Sequence, residues 1–387
     1  MVGNVRTIAW TGDALRIVDQ TALPGRLAYL DLRDVGELVA AIQGLAVRGA
    51  PALGAAGAYG VAMAMLQGAR EGWDERAVTT AIDQVRTARP TAVNLAAAVD
   101  RVAGLMAAGV AAVVAEADAI VAEDVAANHA MGARGADWLQ ARLLTSAASS
   151  PAPTASASAP VAAQGAAPAQ VPAPVPASLA GAGTRPGLRL LTHCNTGTLA
   201  TTDWGTALGV IRELHARGLV EMVYVDETRP LLQGARLTAW ELARAGIPHR
   251  VQVDGAAAST ICRGLVDAAI IGADRIAANG DTANKIGSLG VALACADAGI
   301  PFLVAAPWTT VDLSLRSGGE IPIEQRAEDE VLGWAGTRTS PEDSRGFNPA
   351  FDITPARLVT ALVTETAVLE VSAGRTPAAV AASATAS

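Results

Sequence analysis

The spacing of apolar positions changes character several times along this chain of 387 residues. Around residues 6–10, 15–19 and 26–31, apolar and polar positions alternate in short runs, which predicts a small antiparallel sheet. From there to residue 144 apolar residues recur three or four apart, predicting helices over 35–45, 52–66, 77–86, 95–107 and 110–129. The pattern then vanishes. From Thr145 to Thr184 there is no charged residue, and alanine, proline, serine and valine fill the segment. Such a stretch buries too little to offset ordering, so it reads as a disordered insertion over 145–185. Beyond it, short β-rich apolar runs (188–194, 222–226, 251–254, 268–274, 302–306) alternate with helical spacing (200–217, 233–245, 257–264, 288–298). Alternation of this kind predicts a parallel sheet covered on both faces, with a ligand site beyond the carboxyl ends of its strands. A tail over 373–387 reads as disordered, like the insertion.

Segment 49–69 carries no charge and is long enough to raise the question of a membrane span. It is mostly alanine and glycine with few large apolar side chains, so it is expected to be a buried helix packed closely against its neighbours.

Composition narrows the classes of function. Net charge is -8, which argues against a general affinity for nucleic acid or an anionic membrane while leaving room for a local anion pocket. Cys194, Cys262 and Cys295 are far apart and form no CxxC pair, so neither a disulfide framework nor a structural zinc site is expected. Four histidines lack metal-ligand spacing, and neither GxGxxG after a strand nor GxxxxGK[ST] is present; no metal, nucleotide or other cofactor is expected. The first twenty residues lack the layout of a secretory signal, so a cytoplasmic location is expected.

The anomaly is lysine. Of the 29 basic residues, Lys285 is the single lysine. Arginine replaces lysine freely where only a solvated charge is needed, but not where a compact ammonium must fit a tight site. The alternative is a lysine surviving by chance on a solvated helix end. The predicted strand ends deliver Cys194, Asp226, Glu227, Asp254 and Asp274 to one rim. Cys194 is expected to have its thiol pKa lowered by a following helix N-terminus. Asp274, after an apolar run, is expected to have its pKa raised by burial and to serve as a general acid. His193 adjoins Cys194, but neighbours on a strand point to opposite faces, which disfavours a thiol-protease pair.

These residues sit in motifs that resemble a known family. Ala46-Val47-Arg48-Gly49-Ala50-Pro51, Arg89-Pro90-Thr91-Ala92-Val93-Asn94-Leu95, His193-Cys194-Asn195-Thr196-Gly197, Asp226-Glu227-Thr228-Arg229-Pro230, Gln233-Gly234-Ala235-Arg236, Gly272-Ala273-Asp274-Arg275 and the segment 280–288 are similar, in order, to the methylthioribose-1-phosphate isomerases of methionine salvage. The resemblance runs from about residue 6 to 371. It departs at Ser288-Leu289, where relatives usually carry Thr and an aromatic residue. It implies an α/β protein with a mainly helical N-terminal domain (1–144) bearing the small antiparallel sheet, then a Rossmann-like parallel-sheet C-terminal domain (186–372). It further implies catalytic roles for Cys194 and Asp274, and substrate contacts from Arg48, Gly49, Ala50, Arg89, Gln233, Asn284 and Lys285. The substrate implied is a sugar phosphate and the assembly a homodimer, without nucleic acid or membrane. Ribose 1,5-bisphosphate and 5-deoxyribose 1-phosphate are alternative substrates. The same superfamily also holds non-catalytic regulatory subunits of a translation initiation factor, which have no need of both thiol and acid.

The implied reaction converts an aldose 1-phosphate into a ketose 1-phosphate. Phosphate ties up the anomeric oxygen, so an acid must protonate the ring oxygen as the ring opens. Hydrogen then moves from C2 to C1, either as a proton through an enolate-like species or as a hydride. The sequence leaves both routes open.

Overall fold

The computed structural model describes residues 5–90, 92–144 and 187–385. The expected insertion at 145–185 lies outside the described residues. Strands β1 (Ile8–Trp10), β2 (Leu15–Val18) and β3 (Tyr29–Leu32) form an antiparallel sheet in that order, as the alternating runs predict. Helices α1 (Val35–Gln43), α2 (Ala50–Glu71), α3 (Glu75–Thr87), α4 (Val93–Ala103) and α5 (Val110–Leu139) follow. Asp34 and Asp74 cap α1 and α3 by accepting from the N–H groups of Glu37 and Ala77.

Helix α2 is long and apolar enough to cross a membrane, yet it is the core helix of this domain. Its small residues let neighbours close in. A Cβ at Gly57 would lie 2.5 Å from Leu95 Cδ1, and one at Gly60 2.7 Å from Leu38 Cδ2, so glycine is required for α4, α1 and α3 to pack this tightly. Tyr59, fully buried, stacks on Trp10 and donates its hydroxyl to Asp118 on α5 at 2.6 Å.

The second domain opens with β4 (Leu188–Thr192), α6 (Ala207–Ala216), β5 (Val220–Asp226), α7 (Ala239–Arg244), β6 (His249–Gln252), α8 (Ala257–Cys262) and β7 (Ala268–Ile271). A hairpin of β8 (Arg275–Ala277) and β9 (Thr282–Lys285) follows, then α9 (Ser288–Ala298), β10 (Phe302–Ala305) and β11 (Val311–Asp312). The chain closes with α10 (Asp329–Leu332), the ribbon β12 (Gly333–Trp334) and β13 (Thr337–Arg338), then β14 (Phe351–Thr354), β15 (Ala361–Val363), β16 (Val368–Leu369) and α11 (Pro377–Thr385).

The main sheet runs β16-β15-β10-β7-β4-β5-β6, parallel except for β16. Apolar clusters cover both faces, and the far half of α5, with Met131, Ala136 and Leu139, belongs to one of them. Two expectations require correction. The run 268–274 is not one strand: β7 stops at Ile271, and after Gly272-Ala273-Asp274 the chain enters a second sheet, β11-β8-β9-β14. The tail is not wholly without structure: residues 377–385 form α11, started by Pro377 and propagated by alanines, with Ala378 N–H donating to Ala278 O at 2.9 Å.

Candidate active site

From β4 the chain steps outward through β5 and β6; from β7, on the other side of β4, it steps outward through β10 and β15. The switch point therefore lies between β4 and β7, where an open α/β sheet forms its ligand crevice. Cys194 follows the end of β4 and Asp274 the end of β7.

Cys194 is held in a left-handed conformation, φ 63°, which a non-glycine residue adopts only when its surroundings impose it. Its N–H donates to Thr228 Oγ1 at 2.9 Å, and its carbonyl accepts from Thr238 Oγ1 at 2.6 Å. The two threonines fix the backbone turn that ends the strand. Burial pushes the thiol pKa up, outweighing the opposite pull of Arg48 and Lys285. The expected lowering by a helix N-terminus does not occur, because α6 starts only at Ala207. Burial also raises the Asp274 carboxyl against the pull of Lys285, Arg89 and Arg48, in the expected direction.

His193 turns away from this chemistry. Its Nδ1 lies 3.0 Å from Asp226 Oδ2 and its Nε2 2.8 Å from the Ile286 carbonyl, so both ring nitrogens are engaged. Asp226 also accepts from Gln252, and Asp254 accepts the N–H groups of Thr228 and Arg229 at 2.7 Å each. His193, Asp226 and Asp254 are the group with metal-ligand spacing among the described residues, but all three already serve these hydrogen bonds. The carboxylates at those two strand ends thus support the turns rather than face the cleft.

Lys285 lies on β9, paired with Phe351 of β14, and is 6% exposed. It is not a solvated lysine at a helix end. Its ammonium sits 4.9 Å from the centre of the Phe351 ring, and burial lowers its pKa against the raising effect of Cys194 and Asp274. Asn284 donates to Ser288 Oγ at 2.8 Å, and Ser288 donates to the Lys285 carbonyl at 2.8 Å. The Thr-to-Ser departure therefore retains the hydroxyl that braces this strand end. Asp352 on β14 accepts from Gly287 and Leu289, fixing the start of α9.

Arg48, Gly49 and Ala50 form the approach to α2. Gly49 has φ 93°, and a Cβ there would lie 2.2 Å from the Ala200 carbonyl, so only glycine admits this contact between domains. Arg48 is buried; its guanidinium donates to the backbone and side-chain oxygens of Asn195, while its Nε is unpartnered. Arg89 reaches Glu324 at 3.5 Å. Gln233, also buried, has an unpartnered Oε1.

All nine candidate residues line one cleft, together with Arg326 and apolar side chains of Leu45, Pro51, Leu231, Pro307 and Phe351. No sequence signal marked Arg326, which lies in an irregular segment and pairs with Glu324 and Glu330. Asn195 and Thr196 were visible as motif residues but not as cleft lining. Of the other two cysteines, Cys262 is exposed, whereas Cys295 is buried with its thiol pKa pushed up to about 12.

The sequence profile of the initiation factor 2 subunit family matches residues 46–167 and 180–371. The chain belongs to that family. A methylthioribose-1-phosphate isomerase of Gloeobacter violaceus is 43% identical over 94% of this chain and 93% of its own length. A probable bifunctional methylthioribose-1-phosphate isomerase/methylthioribulose-1-phosphate dehydratase of Nocardia farcinica is 48% identical over 93% of this chain, which spans 58% of that longer protein. Among solved structures, 5-methylthioribose 1-phosphate isomerase from Pyrococcus horikoshii OT3 superposes with TM-score 0.75 at 35% identity, covering 94% of this chain and 92% of the other. The translation initiation factor eIF-2B subunit delta from A. fulgidus gives 0.73 at 37% identity, covering 94% and 96%. This family membership agrees with the resemblance carried by the motifs, and the helical domain followed by a mostly parallel sheet is the family's fold.

Proposed function

We propose that this chain is an isomerase that converts S-methyl-5-thioribose 1-phosphate into S-methyl-5-thioribulose 1-phosphate. The observation that carries the reading is the meeting of Cys194 and Asp274 at the switch point of the sheet, in one cleft with Arg48, Arg89 and Lys285. The cations offer charge-assisted hydrogen bonds to the phosphate. The raised pKa of Asp274 suits a general acid that protonates the ring oxygen as the C1–O4 bond breaks. Cys194 faces the carbon skeleton, and its raised pKa keeps the thiol protonated in the free protein. In this reading Gln233 and Asn284 contact sugar hydroxyls, and Gly49 and Ala50 bring backbone N–H groups to the phosphate.

The apolar side chains in the cleft favour an uncharged 5-substituent over a second phosphate. Retention of both thiol and acid favours catalysis over a purely regulatory role, although such proteins share this fold. The reading extends to a homodimer, for which the family resemblance is the support, and to a cytoplasmic location. The test is ketose phosphate formation from S-methyl-5-thioribose 1-phosphate, with ribose 1,5-bisphosphate and 5-deoxyribose 1-phosphate assayed in parallel. Turnover is expected to be fastest on the methylthio sugar. A preference for the bisphosphate, or no turnover of any of the three, would overturn the assignment.

A further inference from the structure

Behind the Cys194 turn lies a carboxylate that the reaction itself does not call for. Glu241 on α7 is 3% exposed and receives four hydrogen-bond donors. Its Oε1 accepts from Asn195 Nδ2 at 2.8 Å and Leu199 N–H at 3.3 Å; its Oε2 accepts from Thr198 N–H and Arg212 Nη2, each at 2.8 Å. A Cβ at Gly197 would fall 2.3 Å from Oε2, so the loop after Cys194 wraps directly onto this carboxylate.

Proton directions give the arrangement its meaning. The Thr238 hydroxyl donates its hydrogen to the Cys194 carbonyl, at 2.6 Å, so toward Asn195 Nδ2, at 3.2 Å, it acts as an acceptor. Glu241 is the second acceptor for the same amide nitrogen. Two acceptors on one side leave the Asn195 amide a single orientation, with Oδ1 presented to Arg48 Nη2. Among the described residues, the hydrogen bonds of the Arg48 guanidinium go to Asn195, to its side chain and its carbonyl.

We propose that Glu241 is a positioning residue: by fixing the Asn195 amide it sets the angle at which Arg48 meets an anionic substrate. Its own carboxylate touches neither substrate nor cleft cation. A loop-bracing role without this relay would make Glu241 replaceable by any group that keeps the fold.

Glu241→Gln separates the two. The introduced amide nitrogen must face two donors whichever way it turns. A charged guanidinium and a backbone N–H, both at 2.8 Å, oppose the nitrogen on the Arg212 side, so it faces Asn195, whose amide is driven to flip and presents nitrogen to the Arg48 guanidinium. Asn195→Asp alone sets a carboxylate against Glu241. Combining Glu241→Gln with Asn195→Asp restores a donor facing an acceptor: the introduced carboxylate accepts from both the introduced amide and Arg48, and the Thr238 hydroxyl, 3.2 Å away, turns its hydrogen to it from the Cys194 carbonyl. Because the reading rests on the proposed isomerase activity, each variant is measured in two ways: KM and kcat for S-methyl-5-thioribose 1-phosphate, and the Kd for inorganic phosphate from thermal shift, which requires no turnover. Each single variant is expected to raise KM and phosphate Kd about tenfold or more, the scale of one lost charge-assisted hydrogen bond, and the double variant to recover most of it. An inactive wild type would sink the isomerase assignment, while the phosphate pattern would still decide the role of Glu241.

Should Glu241→Gln fail to fold, Asn195→Asp carries the test through its pH profile. A proton shared between the introduced carboxylate and Glu241, with Arg48, Arg212 and Cys194 as the facing groups, mimics the lost amide, so the deficit should shrink toward acid pH. A deficit that ignores pH, or a double variant no better than the singles, overturns the proposal.

Discussion

Burial holds both Cys194 and Asp274 toward their protonated forms, while Arg48, Arg89 and Lys285 supply fixed positive charge around them. A site of this kind offers proton donors and anion binding before substrate enters. Cys194→Ser and Asp274→Asn should each lower turnover by about two orders of magnitude or more, the scale of lost acid-base catalysis, with folding retained. Near-normal kcat in either purified variant removes that residue from the mechanism. Lys285 allows a sharper comparison. It is buried on β9, paired with Phe351 of β14 and with its ammonium against the Phe351 ring, so the wider guanidinium of Lys285→Arg must displace either substrate or Asn284. Both Lys285→Arg and Lys285→Ala are expected to raise KM, with kcat falling as well where the contact strengthens in the transition state. An arginine variant with wild-type kinetics would show that the single lysine is an accident of composition.

At the scale of elements, legibility followed period. The strands that carry Cys194 and Asp226 and the helices around α2 were readable because one face or both are apolar at a fixed spacing. The hairpin β8–β9 was not: it is three and four residues long, rich in polar side chains, and its pairing with β14 joins residues more than sixty positions apart. Hence Asp274 was legible as a strand end, while Lys285 was noticed through composition and the family motif rather than through any periodicity. The direction of the Cys194 shift was misread because sequence shows the next helical run but not the turn, φ 63°, that precedes it. The same strand end holds a testable charge. At His193 burial favours the neutral ring, but the hydrogen bond and charge of Asp226, the charge of Asp254 and the Ile286 carbonyl prevail and raise the pKa. A folded pKa above the unfolded value, about 6.5, means that this contribution to stability is complete below pH 6.5 and is lost as pH rises through the folded pKa. The stability gap between wild type and His193→Gln, from urea unfolding across roughly pH 6 to 9, should therefore narrow as pH rises. A gap independent of pH would show the imidazole to be neutral in the folded protein.

For the whole molecule, α5 decides how the two domains are joined. Val113 and Ala117 near its start lie in the core around α2, whereas Met131, Ala136 and Leu139 lie in the core of the parallel sheet, so one continuous helix belongs to both. The boundary expected at residue 144 thus falls after a helix already committed to the second core. Leu143 packs against that same core, and Leu188 at the start of β4 is buried in it. The chain is consequently anchored on both sides of the Ala/Pro/Ser-rich stretch by contacts among the described residues. The family profile passes over residues 168–179 within it. Loop closure grows only slowly with length, each doubling of a flexible loop costing about 0.6 kcal/mol, so shortening this connection should change stability little. Replacing residues 145–184 by a Gly-Ser bridge of roughly ten residues is expected to leave kcat/KM within a few-fold of wild type and Tm within a few degrees. Loss of the folded enzyme would mean that the stretch packs as an element of one domain, and that the anchoring of α5 and β4 in a shared core is insufficient without it.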